Sequence, residues 1–115
     1  MEERDLFKGK EKYSGKWLEW NAIAGIPHNV TILTNTICRC TGVKEKNGNL
    51  IWENDIAVCR DFTEEKYVIA WKQDEACFEY QQYGCSIMNF EQLSGCEVDV
   101  IGNIFDNPEL LESEG

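Results

Sequence analysis

Glu53 and Asp55 sit two residues apart in the stretch Ile-Trp-Glu-Asn-Asp-Ile at 51–56. On a regular strand, side-chain alternation projects both carboxylates from one face. A pair so placed can share general acid–base work or hold a hard cation. At the end of a turn, the same pair can instead accept backbone N–H bonds and close a hairpin. The chain has one histidine, His28, and no cluster of supporting ligands around the pair. The turn role is therefore the reading adopted for Glu53 and Asp55, with a small hydrolase using the two as the enzymatic alternative.

The six cysteines, at 38, 40, 59, 77, 85 and 96, are the next candidates. Cys38 and Cys40 share one face of a predicted strand, so they are poorly placed to pair with each other and could begin a zinc site. No Cys-x-x-Cys occurs and the other spacings are irregular, so buried thiols are expected, with no metal and no cofactor. His28 follows Pro27 and reads as a loop residue. Gly9, Gly15 and Gly25 are too scattered to cradle a phosphate. No nucleophile elbow is present either.

The aromatic residues offer binding rather than catalysis. Trp17 and Trp20 fall on opposite faces of a predicted strand, which leaves one of them available outside the core. An exposed Trp beside Arg39 or Arg60 can stack a purine while the guanidinium holds a phosphate. Trp17, Trp20, Arg39, Arg60 and Trp71 are the candidate ligand-binding residues. Core packing or an oligomer contact is the competing role of each tryptophan.

These residues need a frame, and the frame reads as short strands and turns. KWLEW at 16–20, VTILT at 30–34, TICRCT at 36–41, LIWENDIAVC at 50–59, KYVIAW at 66–71 and CFEYQQY at 77–83 are strand-like. Asn47-Gly48 is the strongest hairpin signal, since both residues tolerate positive φ. A bend is expected near Glu53-Asn54. The alternation in 66–71 puts Tyr67, Ile69 and Trp71 on one face, and that in 77–83 puts Phe78 with Tyr80. Asn89 can cap a short helix NFEQLSG that Gly95 ends. EVDVIGNIF at 97–105 is a last strand. Asn107 caps a final turn with Pro108 at its first position and Glu109 favouring the N-terminal dipole. The architecture is mostly β, a small barrel or strongly bent antiparallel sheet with one or two short helices. The 115 residues form a single domain, with the tail 112–115 frayed.

Charge narrows the partners. The formal net charge is −10, and residues 61–115 hold 2 basic against 13 acidic side chains. Such a surface repels duplex nucleic acid and anionic lipid and suits a basic protein partner. The start, MEERDLFKGK, has no apolar core of a secretory signal, which points to the cytoplasm of a host cell and reduced thiols. Residues 20–38 carry no charged side chain, but Pro27, Gly25 and several Asn and Thr argue for half-buried strands over a membrane span.

Three motifs in one order carry a resemblance: LFKGK with GKWLEW near the start, TGVKEKNGNLIWENDI in the middle, and VIGNIFDNPELL at the end. Together they resemble the YopX family, small proteins typically encoded by bacteriophages and prophages. The middle motif matches at Thr41, Gly42, Lys46, Asn47, Gly48, Ile51, Glu53, Asp55 and Ile56. The end matches from Val100 to Ile104 and from Asn107 to Leu111. Asn54 stands where the family usually has Gly. Within this pattern Thr41, Gly42, Asn47, Gly48, Glu53 and Asp55 form a structural turn motif, and Gly102, Asn103, Asn107 and Pro108 a C-terminal motif. The resemblance implies a compact, mostly β phage protein that self-associates and has no established catalytic activity.

The combined expectation is a non-enzymatic counter-defence protein that works by stoichiometric binding. It would dock its acidic surface on a host protein or, as a homo-oligomer, sequester a small nucleotide signal. A purely structural phage component is the remaining alternative.

Overall fold

The computed structural model describes residues 5–45, 47–59, 62–73, 77–82, 85–89 and 98–111. Its strands are β1 (Leu6–Lys10), β2 (Trp17–Asn21), β3 (Cys38–Lys44), β4 (Leu50–Trp52), β5 (Asp55–Cys59), β6 (Phe62–Lys72), β7 (Cys77–Gln82), β8 (Cys85–Asn89) and β9 (Val98–Asn103). The mostly β expectation holds, but the described strands form two open antiparallel sheets and not a closed barrel. One sheet runs β2-β1-β3-β4 and the other β8-β7-β6-β5-β9.

The hairpin at Asn47-Gly48 joins β3 to β4, with Cys40 opposite Trp52 and Lys44 opposite Leu50. Only Gly48 takes a positive φ, +90°, so the turn is not the doubly left-handed type that the dipeptide suggests. Glu45 organises it instead. Its buried carboxylate accepts the N–H of Asn47 at 2.8 Å and of Asn49 at 3.2 Å. Thr41 Oγ1 donates to the Ile51 carbonyl at 2.7 Å, fixing the base of the same hairpin.

The chain then changes sheet within four residues. β4 ends at Trp52, Asn54 turns the backbone at φ +73°, and β5 begins at Asp55. An L-residue pays about 1–2 kcal/mol for that conformation, and Asn tolerates it better than most. The bend anticipated near Glu53-Asn54 is thus a crossing between sheets. Asn54 N–H donates to the Ile69 carbonyl at 2.7 Å, and its own carbonyl accepts from Ile104 N–H at 3.1 Å.

Two apolar clusters flank this crossing. Ile51, Ala57, Tyr67, Ile69, Tyr80 and Val98 form the larger one, joining β4 to the five-stranded sheet. Cys38, Cys40 and Trp52 form the smaller one, with Leu6, Trp17, Leu50 and Phe105 packed against it. Each large side chain fully buried contributes about 1.5–3 kcal/mol. The rings of Tyr67 and Tyr80 meet edge-on at 5.9 Å, as alternation on β6 and β7 requires.

Two expectations change. VTILT is not a strand: residues 30–34 hold one isolated bridge, Glu11 to Ile32, and a 3-10 turn follows at Thr34–Thr36. The uncharged stretch is therefore largely loop, with Ile23 84 % exposed, because its β-branched residues meet only the end of β1, where Lys12 N–H donates to the Thr31 carbonyl at 2.7 Å and Leu33 N–H to the Lys10 carbonyl at 2.9 Å. The predicted helix NFEQLSG falls on residues 90–95, outside the described residues, while Asn89 itself ends β8. The final turn is a 3-10 turn over Pro108–Leu111, with Leu110 N–H donating to the Asn107 carbonyl at 3.0 Å. The Asn107 side chain does not cap it. Its Oδ1 accepts Asn103 N–H at 3.2 Å instead.

Candidate functional site

The crossing between sheets borders a cleft of about 490 Å3 lined by Lys8, Glu19, Trp52, Asp55, Gly102 and Asn103, among others. Strand pairing assembles it. Lys8 on β1 lies opposite Glu19 on β2 and Cys38 on β3, so three strands converge on one face. β9 reaches the same face because Asp55 pairs with Asn103, and Ile56 with Gly102.

Lys8 is held by aromatic faces. Its ammonium lies 4.6 Å from the Trp17 ring centre and 4.9 Å from that of Trp52. Cation–π contacts of this kind are worth about 0.5–2 kcal/mol each, more when water is excluded. Trp52 is 6 % exposed, so its shared face is largely dry. Among the described residues Lys8 makes no salt bridge.

Asp55 is 5 % exposed and accepts the Trp52 N–H on Oδ2 at 2.8 Å. Burial pushes its carboxyl up to about 6, against smaller opposing effects of the Trp52 N–H and the Lys8 charge. The partner carboxylate of the sequence pair points elsewhere. Glu53 Oε1 accepts the N–H of Arg39 at 3.1 Å, and Glu53 N–H returns to the Arg39 carbonyl at 2.9 Å. The turn at Asn54 breaks the regular alternation that would have put the two on one face.

Beside the cleft the C-terminal motif folds back on itself. Asn103 Oδ1 accepts the N–H groups of Phe105 and Asp106, both at 2.9 Å, and its Nδ2 donates to Asp106 at 3.1 Å. Asp106 also accepts from Lys10 Nζ, and from Trp17 Nε1 at 2.8 Å. The Lys10 bond, with Trp17 and Asn103 behind it, holds the Asp106 carboxyl down at about 2. Gly102 makes room for this strap: a Cβ there would fall 2.5 Å from Asn107 Oδ1.

The sequence-derived binding residues disperse. Trp17 stands beside the cleft, with Lys8 and Lys10 over its ring and Phe105 at 6.0 Å. Trp20 lies on the opposite face of β2, where a Cβ on Gly9 would come within 3.2 Å of its ring. Arg39 and Trp71 are brought together, but as each other's partners. The guanidinium is 4.6 Å from the ring centre, and Phe78 meets the ring edge-on at 5.0 Å. Trp71 Nε1 donates to Gln73 at 2.8 Å. The faces of Trp17 and Trp71 thus carry cations of the chain itself. Arg60 lies outside the described residues. His28 is exposed in the loop before β3. Cys38 and Cys40 are buried thiols not joined in a disulfide, and burial raises the Cys38 thiol.

Reasoning from sequence passed over Lys8 and Lys10. The signal was present in Lys-Gly-Lys, which alternates on one strand face with a glycine that lets Ile32 and Trp20 close over the other. Among the described residues, no group of three His, Cys, Asp or Glu could hold a metal ion, and no helix is long and apolar enough to cross a membrane.

The family model described as YopX protein matches residues 1–112. A solved structure, protein EF1440 from Enterococcus faecalis, is similar in fold, with a TM-score of 0.59 and 23 % identity over 92 % of this chain and 96 % of that one. No curated protein matches the chain at a significant level.

Proposed function

The chain belongs to the YopX protein family, and from that premise we propose a phage-encoded, non-enzymatic binding protein that captures a small anionic ligand stoichiometrically in the host cytoplasm. The observation that carries this reading is the Lys8 ammonium, which lines the cleft on two indole faces with no carboxylate paired to it among the described residues. A cation so placed has its charge partly offset by aromatic faces and its hydrogen-bonding capacity left for a ligand. A binding role in place of a catalytic one is supported by Glu53 and Asp55, each of which accepts a backbone N–H. A counter-defence role, removal of a host signal by an oligomer, fits this chemistry and the viral setting that the family suggests.

A second reading has its own observation. Residues 61–115 concentrate the negative charge, which suits docking on a basic surface of a host protein.

Native mass spectrometry of protein purified from a bacterial host separates the two. Small-ligand capture predicts an adduct of a few hundred daltons at most, on the order of one per site, that the Lys8→Met variant loses. A bare wild-type chain that retains a basic protein at low salt and releases it at high salt would replace the first reading by the second.

A further inference from the structure

The cleft holds two opposite charges that do not meet. Lys8 and Asp55 both line it, yet neither enters a salt bridge among the described residues. The indole faces of Trp17 and Trp52 attract the Lys8 charge but take no N–H···O bond from it. Asp55 uses Oδ2 for the Trp52 N–H, and its Oδ1 has no partner among the described residues. A carboxylate offers several acceptor positions, so capacity remains on that side too.

The balance of charge in the cleft argues against a plain anion. One ammonium, from Lys8, faces the carboxylates of Asp55 and Glu19. A ligand bearing only negative charge would gain at Lys8 and lose at the two carboxylates. A ligand that brings its own donors gains at both. We infer that the cleft takes a small two-ended ligand, its anionic group on Lys8 and its N–H donors on Asp55, with Glu19 as a further acceptor. This rests on the reading of the cleft as a ligand site. Two sources carry this chemistry: a nucleotide, through its phosphate and the amide–amine edge of guanine, and an amino acid with its carboxylate and amino groups. A cleft of about 490 Å3 admits either.

Titration calorimetry on the full chain tests this with four probes: guanosine 5′-monophosphate, L-glutamine, inorganic phosphate and guanosine. The inference expects one of the two-ended probes to bind about tenfold or more tightly than both phosphate and guanosine, the gain of a hydrogen bond to a charged group. Which of the two does so identifies the source. Lys8→Met should abolish that preference, with Lys8→Arg restoring part of it. Asp55→Asn, which keeps an acceptor for the Trp52 N–H, should reduce the two-ended probe to the level of phosphate. Thermal melts of each variant establish that it is folded, and the Lys8 pair decides the matter if Asp55→Asn is not. Phosphate binding as tightly as both two-ended probes, and lost in Lys8→Met, would overturn the two-ended ligand and leave an anion site standing. Absence of binding by all four at millimolar concentration would overturn both.

Discussion

Asp55 and Asp106 are the same side chain, a short distance apart in the fold, and they titrate at opposite ends of the acid range. Asp55 lines the cleft, and burial lifts its carboxyl to about 6. Asp106 sits beside the cleft on the C-terminal strap, where Lys10 pulls it down to about 2. Both have a lysine of β1 and a tryptophan nearby. The difference is in how each meets them. Asp106 bonds Lys10 and the Trp17 indole directly while remaining partly in water, so these bonds outweigh a smaller desolvation cost. Asp55 takes one backbone N–H and leaves Lys8 to the aromatic rings, so desolvation wins. A charge held in contact stabilises the fold; one kept apart costs stability and leaves binding capacity.

The contrast is broken most strongly at Asp55. Its folded pKa lies above the ordinary 3.8. The folded state therefore binds the proton more tightly, and the stability this contributes is present below about pH 4 and lost as pH rises through about 6. The difference corresponds to a stability change on the order of 3 kcal/mol across that window. Asp55→Asn should remove this segment of the pH–stability profile, seen as parallel urea midpoints at pH 4 and pH 7 where wild type shows a fall.

Gly102→Ala comes next. The new Cβ collides with Asn107, whose Oδ1, Cγ and Cβ all lie within 3 Å of it. Relief displaces the strap at a cost of about 1–3 kcal/mol. The strap is what presents Asp106 to Lys10 and Trp17, so the Asp106 carboxyl should return toward its ordinary value while Asp55 keeps its raised one. Carbon-detected NMR titration of the two carboxyls reads this directly. Equal movement of both would mean that the cleft and the strap are one electrostatic unit.

The smallest effect is at Asp106. Its folded pKa is depressed, so its contribution is present above about pH 4 and is lost as pH falls through about 2. The side chain is partly exposed and screened, which limits Asp106→Asn to about 1 kcal/mol or less at neutral pH. That loss should vanish in high salt, whereas the pH response at buried Asp55 should persist there.

Much of this frame was legible in residue types. The Asn-Gly hairpin, the bend at Glu53-Asn54 and the turn at Pro108 follow from local backbone chemistry, and all three appear where that chemistry puts them. The strands 66–71 and 77–83 likewise follow from alternation, and Tyr67, Ile69 and Tyr80 are buried together. The cleft was not legible, because it is made of long-range neighbours. Lys10 meets Asp106 across 96 positions of sequence, and Lys8 reaches Trp52 only because β3 lies between β1 and β4. Pattern reasoning assigned Arg39 and Trp71 to a ligand, since each is a good ligand residue alone. It had no means of seeing that the Arg39 guanidinium lies over the Trp71 ring itself. VTILT failed for a related reason: strand propensity requires a partner strand, and the loop offers a single bridge.

Asn54 has a consequence for how the molecule comes apart. Its backbone is bonded to Ile69 on one side and Ile104 on the other, and its side-chain amide reaches the Cys38 thiol at 3.5 Å. One residue thereby fastens β6, the residue that follows β9, and β3, and so ties one sheet to the other. Neither sheet can fray without pulling on the other at this point. The slowest amide protons to exchange should therefore include Asn54 and Ile104, which lie outside every strand, and they should exchange together with the strand interiors in a single global opening.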